Sequence, residues 1–199
     1  MGFTKWFPEV FKEFRCISVF ELLKEYIETG RIKLDKEKFK DKTITVHDPC
    51  NYHRKSMMSF GQHFLDECRW VTAQCCPNIV EMEPHGMNGI CCGAGGGAWA
   101  MPYEKERLDY GKWKAEQIKA TGADLVCAPC HNCRDQIMKG LPKAFGKELG
   151  LNYETYYIWE LVAECLVHEP WSEEEVKKSH EERDKQYERD DIELEEEEE

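Results

Sequence analysis

The sequence predicts an α/β, Rossmann-like three-layer domain: a mostly parallel sheet, an N-terminal helix and a charged helical or disordered C-terminal tail. Three observations carry this. Short β-branched runs alternate with helix-period segments through residues 43–168. The Cys-, Gly- and Pro-rich turns follow the strand candidates, where open parallel sheets gather ligand groups. The charge is partitioned: residues 172–199 hold 15 of the 39 acidic and 5 of the 27 basic side chains, leaving the preceding residues near neutrality.

Residues 8–28 read as a helix, with Phe11, Phe14, Phe20, Leu23 and Ile27 forming a broad apolar face and Gly30 as its stop. Residues 31–42 are a charged connector, so that 1–42 form a helical segment ahead of the main domain, 43–171. Thr43–His47 is a β-branched strand, ended by Asp48-Pro49-Cys50. A helix is expected from about Ser56 to Val71, a second strand over Ile79–Met82, and a Gly-rich loop over 84–99. Tyr103–Ala120 reads as a helix stopped at Gly122. Asp124–Ala128 is a third strand, and a helix starts near His131. Residues 153–157 are ambiguous, and Trp159–His168 is helical. In the tail, 172–199, residues 173–189 suit a solvated helix and 190–199 suit disorder, a composition that reads as solubilising. No internal repeat is read.

The net charge is −12, and no basic face suggests nucleic acid as a partner. There is no run of about 18 apolar residues of the kind that spans a membrane. Met1-Gly2-Phe3-Thr4-Lys5-Trp6 lacks a basic start followed by an apolar stretch, so the expected location is cytoplasmic. Eleven cysteines in such a chain point to metal or catalysis, because structural disulfides are rare in reducing compartments.

The cysteines fall into groups. Cys50 follows the first strand. Cys91 and Cys92 are adjacent, a spacing that disfavours a mutual disulfide and suits a multi-iron cluster better than one tetrahedral zinc. Gly93, Gly95, Gly96 and Gly97 follow, and their N–H groups can approach an anionic, sulfide-rich cluster. Gly93–Ala98 also matches a nucleotide-loop pattern, but the strand-to-helix context is missing. A C-x-x-C pattern has two registers, Cys127/Cys130 and Cys130/Cys133, which spacing alone does not separate. Cys16, Cys68 and Cys165 read as buried small hydrophobes, and Cys75-Cys76 as packing residues. His47, His53, His85 and His131 read as strand-end or capping side chains, with proton donation as the functional alternative. Arg54 and Lys55 read as surface charge.

The segments HDPCNYHRK, MEPHGMNGICCGAGGGAW and KAEQIKATGADLVCAPCHNC resemble the cysteine-rich CCG domain of heterodisulfide reductase-like iron–sulfur subunits. The likeness covers about residues 5–168. It is nearest to the C-terminal part of the Dsr complex K subunit and its Tmc and Hmc relatives. The family's Gly-Ala-Asp before Pro-Cys-x-x-Cys selects Cys130 and Cys133, leaving Cys127 aside. The resemblance implies that Cys50, Cys91, Cys92, Cys130 and Cys133 hold a non-cubane 4Fe-4S cluster.

The same resemblance implies an oxidoreductase acting on sulfur groups within a complex. A disulfide or trisulfide, of a DsrC-type sulfur-carrier protein in dissimilatory sulfur metabolism, would be cleaved or formed at the cluster. Electrons would come from a ferredoxin-like cubane-cluster domain or subunit and a membrane cytochrome b or quinone-interacting subunit. Such a complex would hold the chain on the inner face of the membrane. No C-x-x-C-x-x-C-x-x-x-C-Pro run is present, so the chain is expected to match the family's C-terminal half, as a fragment or a split gene product. Two alternatives belong to other classes: a structural metal-binding assembly module, and an electron-relay CCG subunit of a glycolate- or lactate-oxidising complex.

Overall fold

A computed structural model describes residues 7–12, 17–168 and 172–189. The chain divides into two compact units, Met1–Val167 and His168–Glu199. The first is built on an all-parallel sheet of order β2-β1-β3-β4, with β1 Thr43–Val46, β2 Asn78–Ile79, β3 Leu125–Cys127 and β4 Glu154–Tyr156. The parallel pairing bears out the α/β reading and resolves residues 153–157 as an edge strand. β1 and β3 lie side by side, with Ile44 opposite Leu125 and Val46 opposite Cys127.

Side-chain alternation along these strands gives each face its own core. Ile44, Val46, Leu125 and Cys127 pack with Phe20, Val71, Leu161 and Val162 on one side. Val126 and Ala128 pack with Ala115, Ile118, Ile137 and Leu141 on the other. Fully burying an Ile or Leu contributes about 1.5–3 kcal/mol, so these two layers dominate the packing energy.

Helices cover both faces. α1 (Pro8–Phe11) and α2 (Val19–Glu28) replace the single expected helix. Ser18 and Glu21 form a capping box at α2, with Ser18 N–H donating to Glu21 Oε2 at 2.7 Å and Glu21 N–H to Ser18 Oγ at 3.2 Å. Phe20 is buried in the main core, and Leu23 and Ile27 pack against it. Phe14, Cys16 and the side chain of Phe11 lie outside the described residues.

The helix expected over 56–71 is two helices, α3 (Ser56–Phe60) and α4 (Leu65–Cys75). Gly61 separates them at φ 71°, a left-handed conformation that ends α3. The strand expected over 79–82 is shorter and earlier, because Glu81 turns to Arg69 and Met82 enters the second core. Within the expected loop 84–99, Gly86–Asn88 forms a 3₁₀ turn, and Gly96–Ala100 opens a short helix, α5. α6 (Glu104–Thr121), α7 (His131–Asp135), α8 (Leu141–Leu149) and α9 (Ile158–Cys165) follow the expected order. Wide π turns at Asn51–Lys55 and Gln136–Gly140 follow Cys50 and α7.

In the second unit the described residues form α10, Glu173–Arg189. Its start is held by Ser172 Oγ, which accepts from Glu175 N–H at 3.3 Å, and its described side chains are largely solvated, as expected. The stretch 190–199 lies outside the described residues. Among the described residues, no helix is long and apolar enough to cross a membrane.

Candidate metal centre

Three separated stretches of chain meet beyond the carboxyl ends of β1 and β3. They enclose a cavity of about 70 Å3 lined by Cys50, Cys91, Cys92, Cys130 and Cys133, together with His47, Gly95 and Gly96. The sheet order explains the meeting. β1 leads into Cys50 and its neighbour β3 leads into Cys130, so residues 80 apart in sequence finish side by side.

The first stretch is anchored by Asp48. Its carboxylate accepts from Arg69 Nη1 at 2.8 Å and Nη2 at 2.9 Å, and from Gly86 N–H at 2.6 Å. Burial pushes the Asp48 carboxyl up, but the Arg69 guanidinium and the Gly86 N–H outweigh it and hold it below the ordinary value. Arg69 also grips Glu81, at 2.6 and 2.8 Å. Arg54 Nη1 donates to the carbonyls of Met87 and Gly89, at 3.0 and 2.9 Å. The cysteine-bearing turn after β1 is thereby tied to the loop that delivers Cys91 and Cys92. Arg54 is a structural clamp between these segments.

The second stretch rests on α6. A Cβ at Gly93 would stand 2.6 Å from the carbonyl oxygen of Arg107, and φ there is +83°. Only glycine fits, and it lets the adjacent pair sit against the helix. Gly93 N–H also donates to Cys91 Sγ at 3.3 Å. Gly95 and Gly96 line the cavity, whereas Gly97 is exposed in the first turn of α5. Gln136 Nε2 bridges the carbonyls of Cys92 and Arg107, at 3.2 and 3.1 Å, and its Oε1 accepts from Arg107 Nη1.

The third stretch begins at Pro129. Cys130 caps α7, and Cys133 lies in its first turn. Cys133 Sγ is 3.1 Å from Cys92 Sγ. Cys127 does not face the cavity; it is buried in the core, where Thr72 Oγ1 approaches its sulfur at 3.7 Å.

The sulfurs strongly perturb one another. Hydrogen bonding from Cys50 pulls Cys91 far below the ordinary thiol value and pushes Cys50 itself up. A hydrogen bond from Cys133, aided by the N–H groups of Cys133 and Asn132, brings Cys130 down to about 6. Cys133 goes up because Cys130 and Cys92 claim its proton. At Cys92 the Cys133 hydrogen bond acts downward, yet Cys91 and burial prevail and push it up to about 12. Thiols crowded in this way share protons that a metal would displace.

His47 adds a nitrogen donor. It is buried, neither ring nitrogen has a hydrogen-bond partner among the described residues, and its ligand atom lies within 4.8 Å of those of Cys92 and Cys133. Burial, then the charge of Lys114, lowers its pKa to about 3, so the ring is neutral and able to ligate or hydrogen-bond. His53 is buried and pairs with the Asp48 carbonyl at 3.2 Å, while His85 pairs with the Met82 carbonyl at 3.1 Å. His131 meets the Tyr157 hydroxyl.

A cofactor fits this donor set. Five soft sulfurs exceed the four ligands of a tetrahedral zinc, and the unpartnered His47 nitrogens mark a place where a bound group is expected. The remaining described cysteines, Cys68, Cys75, Cys76 and Cys165, are core residues. Cys76 Sγ donates to the carbonyls of Phe39 and Lys42.

Sequence reasoning does not single out Lys114, Gln136 and Arg107, all buried beside the cysteine loop. It also passes over an internal echo. Val46-x-x-Pro49-Cys50-x-x-x-Arg54 and Val126-x-x-Pro129-Cys130-x-x-x-Arg134 repeat one pattern after the two central strands.

Residues 44–138 match the family model of the cysteine-rich CCG domain. The chain is 31% identical to a subunit of the dihydromethanophenazine:CoB–CoM heterodisulfide reductase of Methanosarcina mazei, over 77% of this chain and 34% of that protein. It is 35% identical to an uncharacterized iron–sulfur protein of Methanococcus maripaludis, over 70% of this chain and 25% of that one. An Hdr-like menaquinol oxidoreductase iron–sulfur subunit of Archaeoglobus fulgidus is 34% identical over 42% of this chain and 14% of its own length. The chain thus spans about a third or less of the curated relatives it matches.

Proposed function

For a chain whose residues 44–138 place it in the cysteine-rich CCG domain family, we infer the role of an iron–sulfur electron-transfer subunit of a heterodisulfide reductase-like oxidoreductase. Cys50, Cys91, Cys92, Cys130 and Cys133 hold its cluster, a non-cubane 4Fe-4S type. The carrying observation is the convergence of these five thiols, from three separate stretches, on one cavity. Relatives named as heterodisulfide reductase and Hdr-like iron–sulfur subunits support the reading.

When bound, such a cluster supplies one-electron transfer and a soft metal with affinity for sulfur. The chain's own residues shape where that chemistry happens. Cys91 is the exposed thiol of the five, so it stands at the mouth through which a sulfur substrate enters. Cys92 and Cys133 are buried and form the floor. Gly93 N–H steadies the Cys91 sulfur, a contact that tunes potential. The reaction served is making or breaking a sulfur–sulfur bond, on a DsrC-type protein disulfide or trisulfide. The partners are a cubane-cluster domain or subunit and a membrane cytochrome b or quinone-interacting subunit, which position the chain at the inner membrane face.

Anaerobic reconstitution tests this. Iron and acid-labile sulfide should bind in cluster stoichiometry. The oxidised protein should give a paramagnetic signal that a thiol substrate alters, and Cys91→Ser or Cys92→Ser should abolish it. One zinc per chain with no sulfide would overturn the proposal in favour of a structural metal module.

A further inference from the structure

Lys114 lies near the middle of α6 and is 2% exposed. Its Nζ donates to Gln117 Oε1 at 2.5 Å and to Met82 Sδ at 3.3 Å. Among the described residues it has no ion-paired carboxylate. An ammonium removed from water without a counter-charge is costly. Burial pulls Lys114 down to about 8, and Cys92, Asp48, Cys133 and Cys91, where ionised, oppose that fall. The Asp48 carboxylate is already committed to Arg69 and Gly86. Once a metal displaces their protons, the sulfurs are the uncommitted counter-charge.

The placement is consistent along the helix. Arg107, Gly111 and Lys114 recur at i, i+4 and i+7, on one face. Gly111 packs against the Cys92 carbonyl, where a Cβ would stand 3.1 Å away, so that face adjoins the cysteine loop. Lys114 is also the main charge acting on His47, which lines the thiol cavity from the strand side. Lys114 thus shares the helix face that adjoins the buried cysteine loop.

We propose that Lys114 is the buried counter-charge of the cysteine centre, a positioning residue that balances the thiolate-rich cluster and raises its reduction potential. The inference rests on the cluster reading given above. Reduction adds negative charge, and a nearby cation in a poorly screened interior favours that state. In the metal-free protein Cys92 and Cys133 hold their protons, so the same ammonium loses much of that counter-charge and is a liability.

The test compares wild type, Lys114→Met and Lys114→Arg, each metal-free and after anaerobic loading with iron and sulfide. Thermal unfolding is followed in both forms, and the midpoint potential is measured by EPR-monitored redox titration. Lys114→Met should unfold at the same or a higher temperature when metal-free, gain less on loading than wild type, and titrate at a more negative potential. Lys114→Arg should keep a potential near wild type. A Lys114→Met chain that folds but does not load, while Lys114→Arg loads, supports the same conclusion. Unchanged potential, or Lys114→Met destabilised or unfolded in the metal-free form, overturns the inference and leaves the cluster reading standing. A wild-type chain that takes up no iron overturns both.

Discussion

The sulfur of Cys92 lies 3.1 Å from that of Cys133, joining the Gly-rich loop to the first turn of α7 across 41 residues of sequence. This contact separates cysteines that serve the cavity from those that serve the core. Cys133→Ser should lose nearly all bound iron after reconstitution. Cys127→Ser should retain it, because that side chain faces the core. The core substitution should still lower stability by about 1–3 kcal/mol, the cost of a hydroxyl in apolar surroundings. Iron analysis and urea denaturation of the two variants check this.

The Asp48–Arg69 pair should be a main fastener of the site. Asp48 is 5% exposed and its charge is buried with two contacts from one guanidinium. Removing one member leaves the other unpaired, so Arg69→Met should cost about 3–5 kcal/mol. The double variant Asp48→Asn with Arg69→Met should recover part of that loss. Denaturation midpoints for the four members of the cycle give the coupling directly.

Glycines of the loop should differ sharply in tolerance. Gly93→Ala meets the Arg107 carbonyl at 2.6 Å in a left-handed backbone, and should lose about 1–3 kcal/mol and much of the iron uptake. Gly97→Ala meets nothing within 4 Å inside α5 and should be neutral or gain up to about 1 kcal/mol. Thermal unfolding and iron content of both variants test the contrast.

Asp124 should contribute acid-sensitive stability. Its carboxylate accepts from Thr43 N–H at 2.9 Å and Thr43 Oγ1 at 3.0 Å, tying the start of β1 to that of β3. The Thr43 N–H and hydroxyl hold its pKa below the ordinary carboxylate value. A depressed folded value means the contribution is complete above the unfolded value and fades as pH falls through the folded one. Asp124→Asn should therefore lower stability near neutrality, flatten the acid limb of a stability–pH profile and converge with wild type at low pH.

Much of this is legible in the sequence. Thr43–Val46 and Leu125–Cys127 stand out as β-branched or apolar runs before Pro-Cys turns, and parallel-sheet logic brings those turns together. The break at Gly61 escapes notice because the apolar pattern of Phe60, Phe64 and Leu65 continues through it. The short helix at Gly96–Ala100 is hidden because glycine carries no helix propensity; its position against Asn132 is a tertiary matter. Lys114 and Gln136 are hidden because a buried polar residue looks, in sequence, like any solvated one. Only their neighbours across the fold distinguish them. The split between Cys127 and Cys130 follows from strand alternation carried into a turn, which spacing does not encode.

The adjacency of β1 and β3, without β2 between them, has a bearing on biogenesis. A nascent polypeptide emerging only as far as the Gly-rich loop owns three of the five thiols and lacks the neighbouring strand that would bring the rest alongside. Maturation machinery would find no complete receptacle until translation had passed residue 133. On the proposed cluster reading, inorganic loading would be a late event, following the pairing of β3 with β1.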